Sequence, residues 1–195
     1  MGREFELKFA ADAAVLAAIR EDFAPFTAIA METTYFDTPS HALSARKMTL
    51  RRRLENGISV CTLKTPGING GRGEWEVACD DISAAIGLLL AAGCPEELAQ
   101  LTREGIAPVC AARFTRLAKE ITLPHGKVEL ALDQGVLIGG GRELPLWELE
   151  VEHKEGPESA TEEFARELAV RYPLNPEEKS KFRRAMDLAR GEENG

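Results

Sequence analysis

Glu4-Phe5-Glu6-Leu7-Lys8-Phe9 alternates charged and large apolar side chains without a break. A strand projects alternate residues to opposite faces, so Glu4, Glu6 and Lys8 share one face while Phe5, Leu7 and Phe9 share the other. Two carboxylates beside an ammonium suit a divalent cation holding an anionic oxygen ligand. Carboxylate oxygens ligate Mg²⁺ or Mn²⁺, and Lys supplies a point charge for phosphate. An edge strand with solvated charges has the same pattern, so the segment alone leaves both readings open.

Recurrence of the same period elsewhere decides between them. Glu148, Glu150 and Glu152 alternate with Leu149 and Val151, and Lys127, Glu129 and Asp133 alternate with Val128, Leu130 and Leu132. Arg51 and Arg53 alternate with Leu50, Arg52 and Leu54, Thr62 and Lys64 flank Leu63, and Glu74 and Glu76 bracket Trp75. Carboxylates dominate some strands and cations others, unlike the mixed polar face of a solvated sheet. If these faces point into a closed barrel, the interior is a tunnel with an acidic wall for metal and a basic wall for an anion. An uncompensated buried ion costs several kcal/mol, so such a tunnel must hold water, ions or ligand.

The chain has 195 residues, 44% of them apolar and 29% charged, which supports one substantial core. Its net charge of -8 disfavours nonspecific binding to nucleic acid or an anionic membrane. No apolar run reaches the roughly 20 residues that cross a bilayer, and the N-terminus lacks a signal-peptide layout. A cytoplasmic monomer or homodimer with no nucleic-acid or membrane partner is expected. Cys61, Cys79, Cys94 and Cys110 contain no C-x-x-C pair and read as buried free thiols. His41, His125 and His153 are spaced without pattern and read as surface residues.

Asp12 caps a predicted helix to about Phe23, and strands are predicted over 28–36, 48–54, 59–64 and 74–79. Asn56-Gly57 is a hairpin signal, because a tight I′ turn needs positive φ at both positions. The four glycines within residues 65–73 mark a mobile or closely approached loop. Asp81 or Ser83 opens a second helix that Gly93 stops. Further strands are expected over 109–117, 119–123, 127–133, 136–138 and 146–154, then a helix over 159–172. A last helix is predicted over 176–190, with Asn175 as cap and a fraying tail at 191–195. The expected class is α+β: an antiparallel sheet of about eight strands curled into a closed barrel, with helices packed outside.

The motifs resemble those of the CYTH superfamily, the triphosphate tunnel metalloenzymes. They are the E-x-E-x-K strand at Glu4-Phe5-Glu6-Leu7-Lys8, Tyr35-Phe36-Asp37-Thr38-Pro39, Leu50-Arg51-Arg52-Arg53, Thr62-Leu63-Lys64 and Arg72-Gly73-Glu74-Trp75-Glu76. Arg116, Asp133-Gln134-Gly135, Glu148-Leu149-Glu150 and Ser180-Lys181 follow in the family's order. The resemblance implies one domain over residues 1–190 with an eight-stranded barrel. It implies Mg²⁺ or Mn²⁺ held by Glu4, Glu6, Glu148 and Glu150, with Glu152 continuing that face. Lys8, Arg51, Arg53, Lys64, Arg116 and Lys181 would contact phosphate oxygens, and Arg72 would reach the anion from the tunnel mouth. Glu74, Asp133 and Lys64 would complete the catalytic arrangement, while Arg52 has the parity of the outer face. Lys179 and Arg183 read as a solvated basic face of the last helix.

Among members, the stretches around Asp133 and Glu148 look most like bacterial inorganic triphosphatases. The expected reaction is hydrolysis of inorganic triphosphate to diphosphate and phosphate. Thiamine triphosphatase, a class IV adenylyl cyclase and a non-catalytic polyphosphate- or nucleotide-binding module are the alternatives. The complete acidic set favours an enzyme over the last of these.

Overall fold

The structure, a computed structural model, describes residues 5–66 and 72–191, with Arg72 described by its backbone alone. The ligand role expected of Glu4, the Arg72 side chain, residues 67–71 of the glycine-rich loop and residues 192–195 of the tail lie outside the described residues.

Nine strands form one sheet: β1 (Glu6–Ala10), β2 (Thr27–Asp37), β3 (Thr49–Glu55), β4 (Ile58–Pro66), β5 (Arg72–Ala78), β6 (Ala107–Leu123), β7 (Gly126–Gly139), β8 (Arg142–Glu155) and β9 (Asn175–Pro176). Their order is β5-β4-β3-β2-β6-β7-β8-β1-β9, and every pairing is antiparallel. The sheet is open, which corrects the closed eight-stranded barrel. Its edge strand β9 has two residues, and one of them, Pro176, has no N–H to extend the ladder. The helices are α1 (Ala13–Phe23), α2 (Ala42–Ala45), α3 (Ile82–Ala91), α4 (Glu97–Leu101), α5 (Glu158–Arg171) and α6 (Lys181–Arg190).

Local signals account for most element ends. The Asp12 carboxylate accepts from Val15 N at the start of α1, and Asp81 accepts from Ser83 N and Ala84 N at the start of α3. Asn56 and Gly57 both have positive φ, 50° and 84°, as the β3–β4 hairpin turn requires. The strand pairs predicted over 109–123 and 127–138 are single strands, β6 and β7. Gly135 permits this continuity, since a Cβ there would lie 2.1 Å from Arg113 O on β6. The last helix is also corrected. Asn175-Pro176 pairs with β1, and α6 starts at Lys181 with Ser180 as its cap. Gly191, expected to begin the fraying tail, is the left-handed residue that ends α6.

Two apolar clusters lie on one face of the sheet. Val15, Leu16 and Ile19 of α1 and Ala165 and Leu168 of α5 pack on Val128, Leu130, Leu149 and Val151. Leu89 of α3 and Leu98 of α4 pack on Leu50 and Leu63. Each fully buried leucine contributes about 1.5–3 kcal/mol. The third cluster has the opposite strand parity: Ala185 and Met186 of α6 pack on Met31, Tyr35, Ala112, Phe114, Leu137 and Leu146. So α6 is not outside with the other helices; it occupies the inner, charged face. Amphipathic α6 finds its apolar partner there because these inner-face positions of β2, β6, β7 and β8 carry no charge.

Candidate functional site

The charged positions of the strands meet on this inner face. Residues of β1 and β5, near opposite ends of the sheet, line the same cavity of about 410 Å³, so the sheet is curled into a trough. Among the described residues, seven cations and six carboxylates line it. Lys8, Arg51, Arg53, Lys64, Arg116 and Lys181 all reach the cavity, as do Glu6, Glu74, Glu150 and Glu152. Arg52 points away, donating to Asp80 O at 3.1 Å.

Two expected site residues sit behind the lining instead. Asp133 and Glu148 are fully buried, at 0% exposure. Adjacent register explains the grouping, since Asp133 on β7 pairs with Arg116 on β6 and with Glu148 on β8. Arg116 grips Asp133 through two bonds, Nε to Oδ1 at 2.8 Å and an Nη to Oδ2 at 2.7 Å, and also reaches Glu150. Lys181 Nζ lies 2.8 Å from Asp133 and 2.7 Å from Glu150, and contacts Glu148. Arg184 donates to the other Glu148 oxygen and lies 3.4 Å from Glu177.

This wall neutralises itself, and its titration follows. Burial acts against the charge of Glu150, but Lys181 and Arg116 outweigh it and hold that carboxyl well below the usual range. For Glu148 burial prevails and raises the pKa, despite Lys181 and Arg184. Burial likewise opposes the charge of Lys181, which Glu150, Asp133 and Glu148 nevertheless raise above its ordinary value.

The opposite wall is looser. Lys64 lies 3.4 Å from Glu74, and Arg51 lies 3.7 Å from Glu74 and 3.9 Å from Glu76. The Nε atoms of Arg51 and Arg53 are buried without a hydrogen-bond partner. Burial lowers the pKa of Arg51, with Arg53 adding to the effect.

Asp133, Glu148 and Glu150 each offer an oxygen within 4.8 Å of the others, the spacing of a possible cation site. Lys181 Nζ already sits among them. Facing the cavity, Glu6 stands opposite Glu152, and Glu150 opposite Lys8, across the β1–β8 ladder. These hard oxygen donors suit a divalent cation that prefers oxygen ligands.

The sequence reading assigned no role to Arg184, Lys47 or Tyr35. Arg184 was legible as the i+3 neighbour of Lys181 on one helix face. Tyr35 was legible through its β2 parity with Met31 and Thr33. Nothing local marks Lys47, which reaches the cavity from the left-handed residue after α2. Asp37 of the Tyr35–Pro39 motif holds that turn, accepting from the N–H groups of Thr38, Leu43 and Ser44. Lys179 and Arg183 have exposed side chains and pair with Asp187. Trp75 and Trp147 pack in the outer clusters, and the four cysteines are free, with Cys79 only partly buried. No histidine lines the cavity, and His153 lies within hydrogen-bonding distance of Thr161.

No described helix is long and apolar enough to cross a membrane. The chain is 32% identical over 165 residues to the inorganic triphosphatase of Haemophilus influenzae, covering 80% of this chain and 46% of that protein. It thus spans about half the length of the curated relative it matches. A Pyrococcus horikoshii protein shares the fold with a TM-score of 0.67 at 23% identity, over 95% of this chain and 99% of that one. So does a Hippeastrum protein described as a candidate adenylyl cyclase with dominant triphosphatase activity, with a TM-score of 0.64 at 21% identity over 97% of both chains. Residues 2–186 match the CYTH domain, and the chain belongs to that family.

Proposed function

We propose that the chain hydrolyses inorganic triphosphate to diphosphate and phosphate, using Mg²⁺ or Mn²⁺. The observation that carries this reading is the cavity wall, where seven cations stand against six carboxylates among the described residues. So nearly neutral a cavity cannot balance a triphosphate of about four negative charges unaided, and a divalent cation on the carboxylates makes up the difference. The triphosphatase named among the relatives supports the same substrate.

Glu6, Glu150 and Glu152 would hold the metal, which supplies charge neutralisation and activation of water when bound. Arg51, Arg53 and Lys64 bind and orient the polyphosphate, and Lys8, Arg116 and Lys181 close on it from the other wall. Glu74, beside Lys64, accepts the proton of the attacking water as its oxygen adds to the terminal phosphorus and diphosphate leaves. Asp133 and Glu148 hold Arg116 and Lys181 in place, so their charges are oriented before substrate arrives. Phosphoryl transfer depends mainly on such positioning and charge stabilisation.

A phosphate-release panel with triphosphate, thiamine triphosphate, ATP and long polyphosphate, run separately with Mg²⁺ and Mn²⁺, tests the reading. Release from triphosphate should dominate and should vanish in excess EDTA. Cyclic AMP formation, or full activity in EDTA, would overturn it.

A further inference from the structure

Behind the looser wall, on the outer face of β4, two cysteines come together that the scheme above does not use. Cys61 of β4 stands between Arg52 on β3 and Val77 on β5, all with the outer parity. Cys79 follows Val77 by two positions, so alternation returns it to the same face. β5 ends at Ala78, and there the backbone turns in over β4. Ser59 Oγ donates to Cys79 O at 2.7 Å, and Cys61 Sγ donates to the same oxygen at 3.2 Å. The Cys61 sulfur therefore lies no more than about 5.6 Å from the Cys79 Cα. Same-face neighbours of adjacent strands are close to the separation that disulfides bridge. Cys79 Sγ lies 3.2 Å from the carbonyl oxygen of Asp81, the cap of α3. Thiol-to-carbonyl bonds are weak, so both sulfurs are redirected at little cost.

The two thiols differ in access. Cys61 is fully buried, whereas Cys79 is partly exposed. Burial pushes the Cys61 thiol up to about 11, with Cys79 adding to the rise, so Cys61 stays protonated and shielded at neutral pH. Cys94 and Cys110 are buried in two other apolar clusters. An accessible thiol backed by a buried one is the arrangement of an oxidised and a resolving cysteine. We propose that Cys61 and Cys79 are a reversible redox pair, closed to a disulfide by hydrogen peroxide, that braces the β4–β5 side of the trough. The Cys79 sulfur attacks a peroxide oxygen, the O–O bond breaks, and Cys79 sulfenic acid and water result. The Cys61 sulfur then attacks the Cys79 sulfur, and the departing hydroxide takes the Cys61 proton as a second water. The thiols together give two electrons and two protons to the peroxide, and a dithiol reductant reverses the closure. The cross-link closes the segment that carries Lys64, Glu74 and Glu76, where the ion pairs are widest. This chemistry is independent of which anion the trough holds.

The test treats the full chain with hydrogen peroxide, maps its peptides without reduction by mass spectrometry, and follows thermal melting before and after dithiothreitol. The expected product is a single chain with a Cys61–Cys79 link, reversed by dithiothreitol and melting about 5 °C higher than the reduced form. In Cys61→Ala the Cys79 sulfenic acid should persist and be trapped by dimedone. In Cys79→Ser, which changes a partly exposed position, no link should form and Cys61 should stay reduced. Cys79 oxidised only to sulfinic acid in the wild type, or a link to Cys94, to Cys110 or between chains, overturns the proposal. So does a wild type whose Cys61 and Cys79 both stay reduced. A Cys61–Cys79 link that lowers the melting temperature also overturns it, because a strained cross-link braces nothing.

Discussion

The two walls of the trough use the same residue types to opposite ends. On the β7–β8–α6 side, Asp133, Glu148 and Glu150 meet Arg116, Lys181 and Arg184 at hydrogen-bonding distance, and two of the carboxylates have no exposed surface. On the β3–β5 side, Arg51 and Lys64 stand 3.4–3.9 Å from Glu74 and Glu76; a buried Nε without a partner occurs on both sides, at Arg51 and Arg53 here and at Arg184 opposite. Ion pairs at hydrogen-bonding distance hold geometry, whereas more widely spaced charges keep more of their attraction for a ligand. The first wall is therefore scaffold for the charges it presents, and the second is where an arriving polyanion gains most.

Removing a carboxylate from the tight wall should cost the most. Glu148→Ala leaves Lys181 and Arg184 short of a buried partner, and should lower unfolding stability in urea by about 3–5 kcal/mol. A change under about 1 kcal/mol would show that the network is not the scaffold described. On the loose wall the effect should move from stability to function. Arg51→Ala should raise KM for triphosphate at least tenfold, about 1.4 kcal/mol, with the melting temperature unchanged or higher because a desolvated cation is gone. A large drop in melting temperature with normal KM would erase the difference between the walls.

The smallest effect is on pH dependence, and it sharpens the same contrast. Folding lowers the Glu150 pKa from its ordinary value of 4.5, so the unfolded chain binds that proton more readily. The stabilisation is complete above about pH 4.5 and is lost as pH falls through the folded value. Glu150→Gln should flatten this acid limb by up to one proton in a stability-versus-pH series. An unchanged slope would remove Glu150 from the set of strongly paired groups.

Much of this was legible because a strand has a period of two. Arg51, Arg53, Lys64 and Lys8 were placed on one face by alternation and Arg116 by the family resemblance, and all line the cavity. The wall of Asp133 and Glu148 was legible as charged but not as buried. Parity gives the face of a residue and not its depth, and depth here depends on α6 lying over it. The start of α6 was misplaced because proline at a first helical position and proline at a strand edge look alike; the Ser180 cap decides between them.

By itself the sequence determined the inner and outer faces of the strands, the hairpin at Asn56-Gly57, the cap at Asp12, and the family, since all of these are local or ordered along the chain. Only the tertiary structure decided that the sheet stays open, that α6 lies inside it, and that Lys181 and Arg184 take up the buried carboxylates. These depend on pairings between residues more than thirty positions apart, such as Lys181 with Glu148. No local period encodes which buried charge will find which partner, because that is settled by the desolvation each must offset once the chain has closed around it.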